Sequence, residues 1–171
     1  MLKYIKHLDI PDNVYQILQK EFKDNEHKAK PFVSAPRSDG TTRTLNHMCG
    51  IRLDDATDCH YAHQIAENLS YILLSNVKPR YYRQDAGSDL DPHRDLHATV
   101  ALNVVLGGSG PVIFDEQHEI YYKAAFLNVT QTHKVRTEDT RVLFRLTMND
   151  IDYEDVLYMI EGSEHEIWDI S

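Results

Sequence analysis

Spacing of apolar residues divides this chain near residue 79. Before that point they recur at the three- and four-residue steps of amphipathic helices. Val14, Ile17, Leu18 and Phe22 share one face of a helix predicted over Pro11–Lys23. Tyr61, Ile65, Leu69, Ile72 and Leu73 form the stripe of a second, over Thr57–Ser75. Pro11 suits a first turn, where its missing N–H has no helical partner to lose. Asp54, Asp55 and Asp58 offer caps and first-turn charges to the second helix. Between the helices, Ala29–Leu53 reads as loop and short strand, with a turn at Ser38-Asp39-Gly40.

From Pro79 the pattern shortens. Segments rich in Val, Ile, Tyr, Phe and Thr alternate with turns: Arg80–Gln84, Leu96–Leu106, Pro111–Phe114, Glu119–Tyr122, Ala125–Val129, Thr132–Val135 and Thr140–Met148. Strands so closely spaced predict a sandwich or barrel, and a short helix over Tyr153–Ile160 follows them. The expectation is a single domain over 1–171: a helical support over 1–78, a β core over 79–149 and a C-terminal helix and tail over 150–171. Gly107-Gly108-Ser109-Gly110-Pro111 contains G-x-G but leads into a strand, so it reads as a hairpin connection rather than a phosphate-cradling loop.

Composition narrows the function classes. The 171 residues suit one domain with an ordinary core, and 42% hydrophobic with 26% charged residues is normal for a globular chain. A formal net charge of −9 disfavours a surface for duplex nucleic acid, because that affinity rests on Lys and Arg neutralising phosphates. The basic, aromatic cluster Lys78-Pro79-Arg80-Tyr81-Tyr82-Arg83 reads instead as a strand lining a site. No apolar run approaches the roughly 20 residues of a membrane span. Met1–His7 lacks the apolar core and cleavage site of a signal peptide, so a cytoplasmic location is expected. Cys49 and Cys59 are not in C-x-x-C spacing and read as two buried thiols.

The candidate chemistry lies in His93-Arg94-Asp95, His133 and Arg141. Two imidazoles and one carboxylate are the donor set of a non-haem ferrous centre. On one strand His93 and Asp95 would project to the same face, about 6.6 Å apart along the chain. One His from a neighbouring strand would complete a facial set and leave the opposite face open. If that strand runs unbroken, His97, Thr99 and Asn103 share the same face. Three ligands at consecutive even positions would spread over about 13 Å, so His97 reads as a neighbouring or surface residue. His60 and His63 read as solvated helix-face residues, His118 as exposed, and Asp89 and Asp91 as loop charges.

An H-x-D pair alone discriminates little in a chain with 10 His and 27 acidic residues; the order of segments discriminates more. Tyr82, His93-x-Asp95, Val100–Leu106 ending in Gly107-Gly108, Pro111–Phe114, Ala124–Leu127, Thr132–Val135 and Arg141–Arg145 follow one another. That order resembles the catalytic core of the Fe(II)- and 2-oxoglutarate-dependent oxygenases, of the prolyl- and aspartyl-hydroxylase type. The likeness runs over Tyr81–Met148, and the chain before Pro79 matches no family.

The resemblance implies a mainly β fold with flanking helices: a double-stranded β-helix (jelly-roll) core of seven to eight strands, with two N-terminal helices packed on one sheet. It implies His93, Asp95 and His133 as Fe(II) ligands and an arginine for the distal carboxylate of 2-oxoglutarate. Tyr82 and Asn103 would be further co-substrate contacts, and O2 the oxidant. The implied reaction hydroxylates a C–H bond of an amino acid or of a peptide or protein side chain, releasing succinate and CO2. Arginine's planar fork suits a carboxylate. Arg141, eight residues beyond His133, is favoured by spacing; Arg145, on the same strand face, is its competitor or companion. Ile113, Phe114, Phe126 and Leu143 would wall the site. Two alternatives stand beside this reading: a cupin-like metalloenzyme that does not use 2-oxoglutarate, and a non-catalytic jelly-roll binding module. The expected partner is a small-molecule or peptide substrate, with neither duplex nucleic acid nor membrane; the oligomeric state is open.

Overall fold

The computed structural model describes residues 4–33, 48–87, 90–95, 97–114 and 118–171, with the side chains of Val33, Met48, Cys49, Leu90, Asp91, His93 and His118 outside that description. The turn expected at Ser38-Asp39-Gly40 and the loop charge Asp89 lie outside the described residues. In chain order the elements are β1 (Ile5–His7), α1 (Asp12–Asn25), β2 (Lys30–Val33), β3 (Met48–Leu53), α2 (His60–Leu73), β4 (Lys78–Gln84) and β5 (Leu90–His93). There follow β6 (Val100–Gly107), β7 (Val112–Phe114), β8 (His118–Ile120), β9 (Ala124–Asn128), β10 (His133–Val135), β11 (Arg141–Met148) and α3 (Tyr153–Glu161).

The strands form two antiparallel sheets, a large one ordered β1-β9-β6-β11-β4-β3-β2 and a small one ordered β5-β10-β7-β8. From β4 onward the chain steps back and forth between them. It runs large, small, large, twice small, then large, small and large again. The last strand, β11, therefore sits between β4 and β6, and β10 sits between β5 and β7. This is the strand order of a jelly roll, with eight strands in the roll. The N-terminal part adds more than helices: β1 extends one edge of the large sheet and β3 and β2 the other.

Period-two alternation assigns each face of the large sheet. Tyr81, Leu102, Val104, Phe126, Phe144 and Leu146 point outward and pack against Leu18 and Phe22 of α1, Ile65 and Leu69 of α2, and Tyr153 and Val156 of α3. Each such burial contributes about 1.5–3 kcal/mol. Between the sheets lie Ala101, Ala125, Leu127, Val112 and Phe114, with Ile5 from β1. Phe126 is thus out of phase with its neighbours Ala125 and Leu127. It belongs to the helix-side core, not to the wall of a site between the sheets.

The helices are pinned through one buried carboxylate. Glu21 of α1 accepts the backbone N–H groups of Tyr61 and Ala62 at 2.7 and 2.8 Å, and the Tyr81 hydroxyl at 2.7 Å. It satisfies donors that the first turn of α2 leaves open and places negative charge at the positive end of the helix dipole. The expected caps do not serve. Asp58 lies in a 3₁₀ turn over Ala56–Asp58, and Cys59 precedes α2 without a side-chain cap.

The strand expected over Leu96–Leu106 begins only at Val100. The chain leaves the small sheet after His93 and enters the large one only at Val100. His93 and Asp95 therefore do not share a strand, and even-step phasing does not carry across the break. Thr99 turns from the interior: its hydroxyl lies 2.6 Å from the Ile151 carbonyl, to which it donates. His97 is exposed. Among the described residues, no helix is long and apolar enough to cross a membrane.

Candidate functional site

Asp95 and His133 meet although 38 residues of sequence part them. His133 opens β10, with Phe114 of β7 and His93 of β5 as its register partners. Asp95 lies in the crossing from β5 to β6, where its backbone N–H donates to the Val129 carbonyl at 3.1 Å, at the end of β9. These anchors bring Asp95 Oδ1 to 3.3 Å from His133 Nε2. The imidazole is 5% exposed, with the Phe114 ring 5.7 Å away between centroids.

The tautomer follows from the other ring nitrogen. Nδ1 of His133 is 2.7 Å from the Gln131 carbonyl, which can only accept, so Nδ1 carries the proton and donates it. Nε2 is thereby turned toward the carboxylate. With bonds of roughly 2.1 Å, neighbouring N and O donors on one ion stand about 3 Å apart. The observed separation fits two ligands of a shared cation. Among the described residues no three metal-ligating side chains meet; the third expected donor, His93, is described by its backbone alone.

Arg145, in the middle of β11, donates from Nη2 to the other oxygen of Asp95, Oδ2. Its register partners are Asn103 on β6 and Arg80 on β4. Burial works against its charge. Asp95, with Tyr82 and Tyr122 nearby, outweighs that and holds the guanidinium above its ordinary value.

Arg141, at the start of β11, is 2% exposed and differently placed. Its Nε and Nη2 donate to Gln84 Oε1 at 2.9 and 2.5 Å, and its Nη1 donates to the Gly110 carbonyl at 3.0 Å. No carboxylate among the described residues pairs with it. Burial chiefly lowers its pKa, the charge of Arg145 adds to that, and Tyr122 opposes it. A buried cation held by neutral acceptors is expensive to maintain and suits an anion.

Asn103 is 3% exposed; its Nδ2 donates to the Tyr122 hydroxyl at 3.0 Å, while its Oδ1 is buried without a hydrogen-bond partner among the described residues. Tyr82 stands nearer the rim, half-buried, with its ring edge-on to Phe32 at 5.5 Å. Sequence reasoning passed over Gln84 and Tyr122. Gln84 was detectable, because it lies two residues from Tyr82 on the same predicted strand face. Tyr122 follows β8 without a periodic signal.

No family model matches this chain, and no curated protein matches it. Among solved structures it is similar to an RmlC-like cupin from Desulfovibrio desulfuricans, at 26% identity and a TM-score of 0.35 over 43% of this chain and 73% of that one. A cupin superfamily protein from Desulfitobacterium hafniense gives 14% and 0.37 over 43% and 68%. A salicylate 1,2-dioxygenase from Pseudoaminobacter salicylatoxidans, in complex with gentisate, gives 10% and 0.42 over 90% of this chain and 35% of that one. By its own strand order, this chain is a jelly-roll β-sandwich with flanking helices.

Proposed function

We propose that this protein is an Fe(II)- and 2-oxoglutarate-dependent dioxygenase. It would hydroxylate a C–H bond of an amino acid or of a peptide or protein side chain. The observation that carries the reading is the meeting of Asp95 with Nε2 of His133, together with a buried Arg141, on the same face of β11 as Arg145, that has no carboxylate partner among the described residues. His93, Asp95 and His133 would hold the iron. When bound, iron supplies the coupling of dioxygen reduction to oxidative decarboxylation of 2-oxoglutarate, with succinate, CO2 and hydroxylated substrate as products.

The chain's own residues bind and orient. The Gln131 carbonyl fixes the tautomer of His133, as partners behind a ligating histidine do. Gln84 and the Gly110 carbonyl aim the Arg141 fork, which receives the distal carboxylate through charge-assisted bonds. Arg145 is committed to Asp95, and this supports Arg141 as the co-substrate arginine. Asn103 and Tyr122, linked to each other, offer further polar contacts, with Tyr82 toward the substrate side. Phe114 and Ala101 keep water from the inner wall.

Anaerobic addition of Fe(II) and 2-oxoglutarate tests the reading. A visible charge-transfer band of the chelated oxo-acid is expected in the wild type. It should be absent in Asp95→Ala, and Arg141→Ala should need more 2-oxoglutarate to reach it. A wild type that binds Fe(II) but never develops the band would overturn 2-oxoglutarate dependence and leave the cupin-like reading.

A further inference from the structure

We propose that Arg145 is a positioning residue that occupies one oxygen of Asp95, so that the carboxylate presents only its other oxygen to the metal. This rests on the reading of His93, Asp95 and His133 as metal ligands and adds a role that the reading does not contain. The two oxygens of Asp95 have separate neighbours. Oδ1 faces His133 Nε2 at 3.3 Å, and Oδ2 accepts from Arg145 Nη2.

Both ends of this contact are held. Arg145 lies mid-strand in β11, hydrogen-bonded between β4 and β6. Asp95 is tied through its backbone N–H to Val129. The paired side chains are only 19% and 16% exposed, so water competes weakly for either. Competition from the adjacent cation is also removed. Arg80, the register partner of Arg145, is 3.5 Å from Asp54, which pairs with Arg52 as well. Arg80 therefore has its own carboxylate.

The consequence concerns the number of vacancies. A carboxylate can bind a cation through one oxygen or two. Two imidazoles and one carboxylate oxygen leave three of six positions open; a second oxygen from Asp95 would leave two. A chelating oxo-acid would need two positions and leave one for the oxidant, so the proposed reaction would use all three. Arg145 keeps the third open by satisfying the spare oxygen with hydrogen-bonded charge.

The test uses Co(II) as the probe, titrated without 2-oxoglutarate and read by its visible absorption. In Arg145→Gln the freed oxygen of Asp95 can join the ion, so the Co(II) absorption bands are expected to change as the coordination number rises. Arg145→Lys, which keeps one charged donor, should restore most of the wild-type spectrum. A spectrum unchanged in Arg145→Gln would overturn the proposal, whatever the affinity. A wild type that binds no Co(II) would overturn the metal reading itself, and this inference with it. Should Arg145→Gln not fold, crystals of the Co(II)-loaded wild type decide. Asp95 bound through one oxygen with Arg145 on the other supports the proposal; chelation through both overturns it.

Discussion

Gln84 and Arg141 are register partners across β4 and β11, and a single amide oxygen of Gln84 accepts two N–H groups of the guanidinium. The amide orients the cation without cancelling it. A carboxylate at that position would cancel it. Gln84→Glu should fold normally yet bind 2-oxoglutarate at least about tenfold more weakly, since a hydrogen bond to a charged group contributes about 1.5–3 kcal/mol. Titration of the anaerobic Fe(II) complex measures it, and unchanged affinity would remove Arg141 from the co-substrate site.

Metal binding should also be visible in stability. A cation bound only by the folded state at a hundred times its Kd adds about 2.7 kcal/mol. For a chain of this length that corresponds to a Tm rise of about 5–10 °C. Thermal unfolding with and without Co(II) is expected to give that rise in the wild type and none in His133→Ala or Asp95→Ala.

Alkaline pH should loosen the packing of helices on the large sheet. Burial pushes the Cys59 thiol up from 9.0 to about 11, and burial followed by Glu21 pushes the Tyr81 hydroxyl well above 10.0. Both groups bind protons more tightly when folded. Their contribution is therefore complete below the unfolded pKa and is lost as pH rises through the folded one. Urea midpoints should fall from pH 9 toward pH 11, and Cys59→Ala should flatten the early part of that fall.

Gly108 has φ +71°, and a Cβ there would meet the Thr140 carbonyl oxygen at 2.0 Å and Arg141 Cα at 3.0 Å. Gly108→Ala should destabilise the fold by at least about 1–3 kcal/mol, the cost of a strained backbone alone. It should also displace the start of β11 and with it Arg141. Urea unfolding and 2-oxoglutarate titration are expected to move together; an affinity that holds while stability drops would separate the glycine from the site.

Much of this architecture was readable in the chain, for reasons that differ by element. Both N-terminal helices carry long 3.6-residue stripes and appear within about three residues of their predicted ends. β6, β9 and β11 are long or strongly apolar and stood out. β5 did not, because Leu90-Asp91-Pro92-His93 has no alternation and carries a proline that a strand tolerates only in special places. Without such a signal His93 to Asn103 reads as one strand, although Asn103 does face the space between the sheets. The meeting of Asp95 with His133 was anticipated from segment order. The tie of Arg145 to Asp95 was not, because spacing within β11 says nothing of what crosses from the other sheet. Glu21 escaped for the same reason: a cap delivered by another helix leaves no mark beside the helix it serves.

The seating of β11 between two much earlier strands bears on how this protein comes into being. A ribosome would have made Asp95 before the central strand of the large sheet, which carries Arg145, existed to hold its carboxylate. Pairings between segments so distant in sequence form slowly. A message cut short before Arg141 would lack the strand that joins β4 to β6, and with it the arginine that holds Asp95.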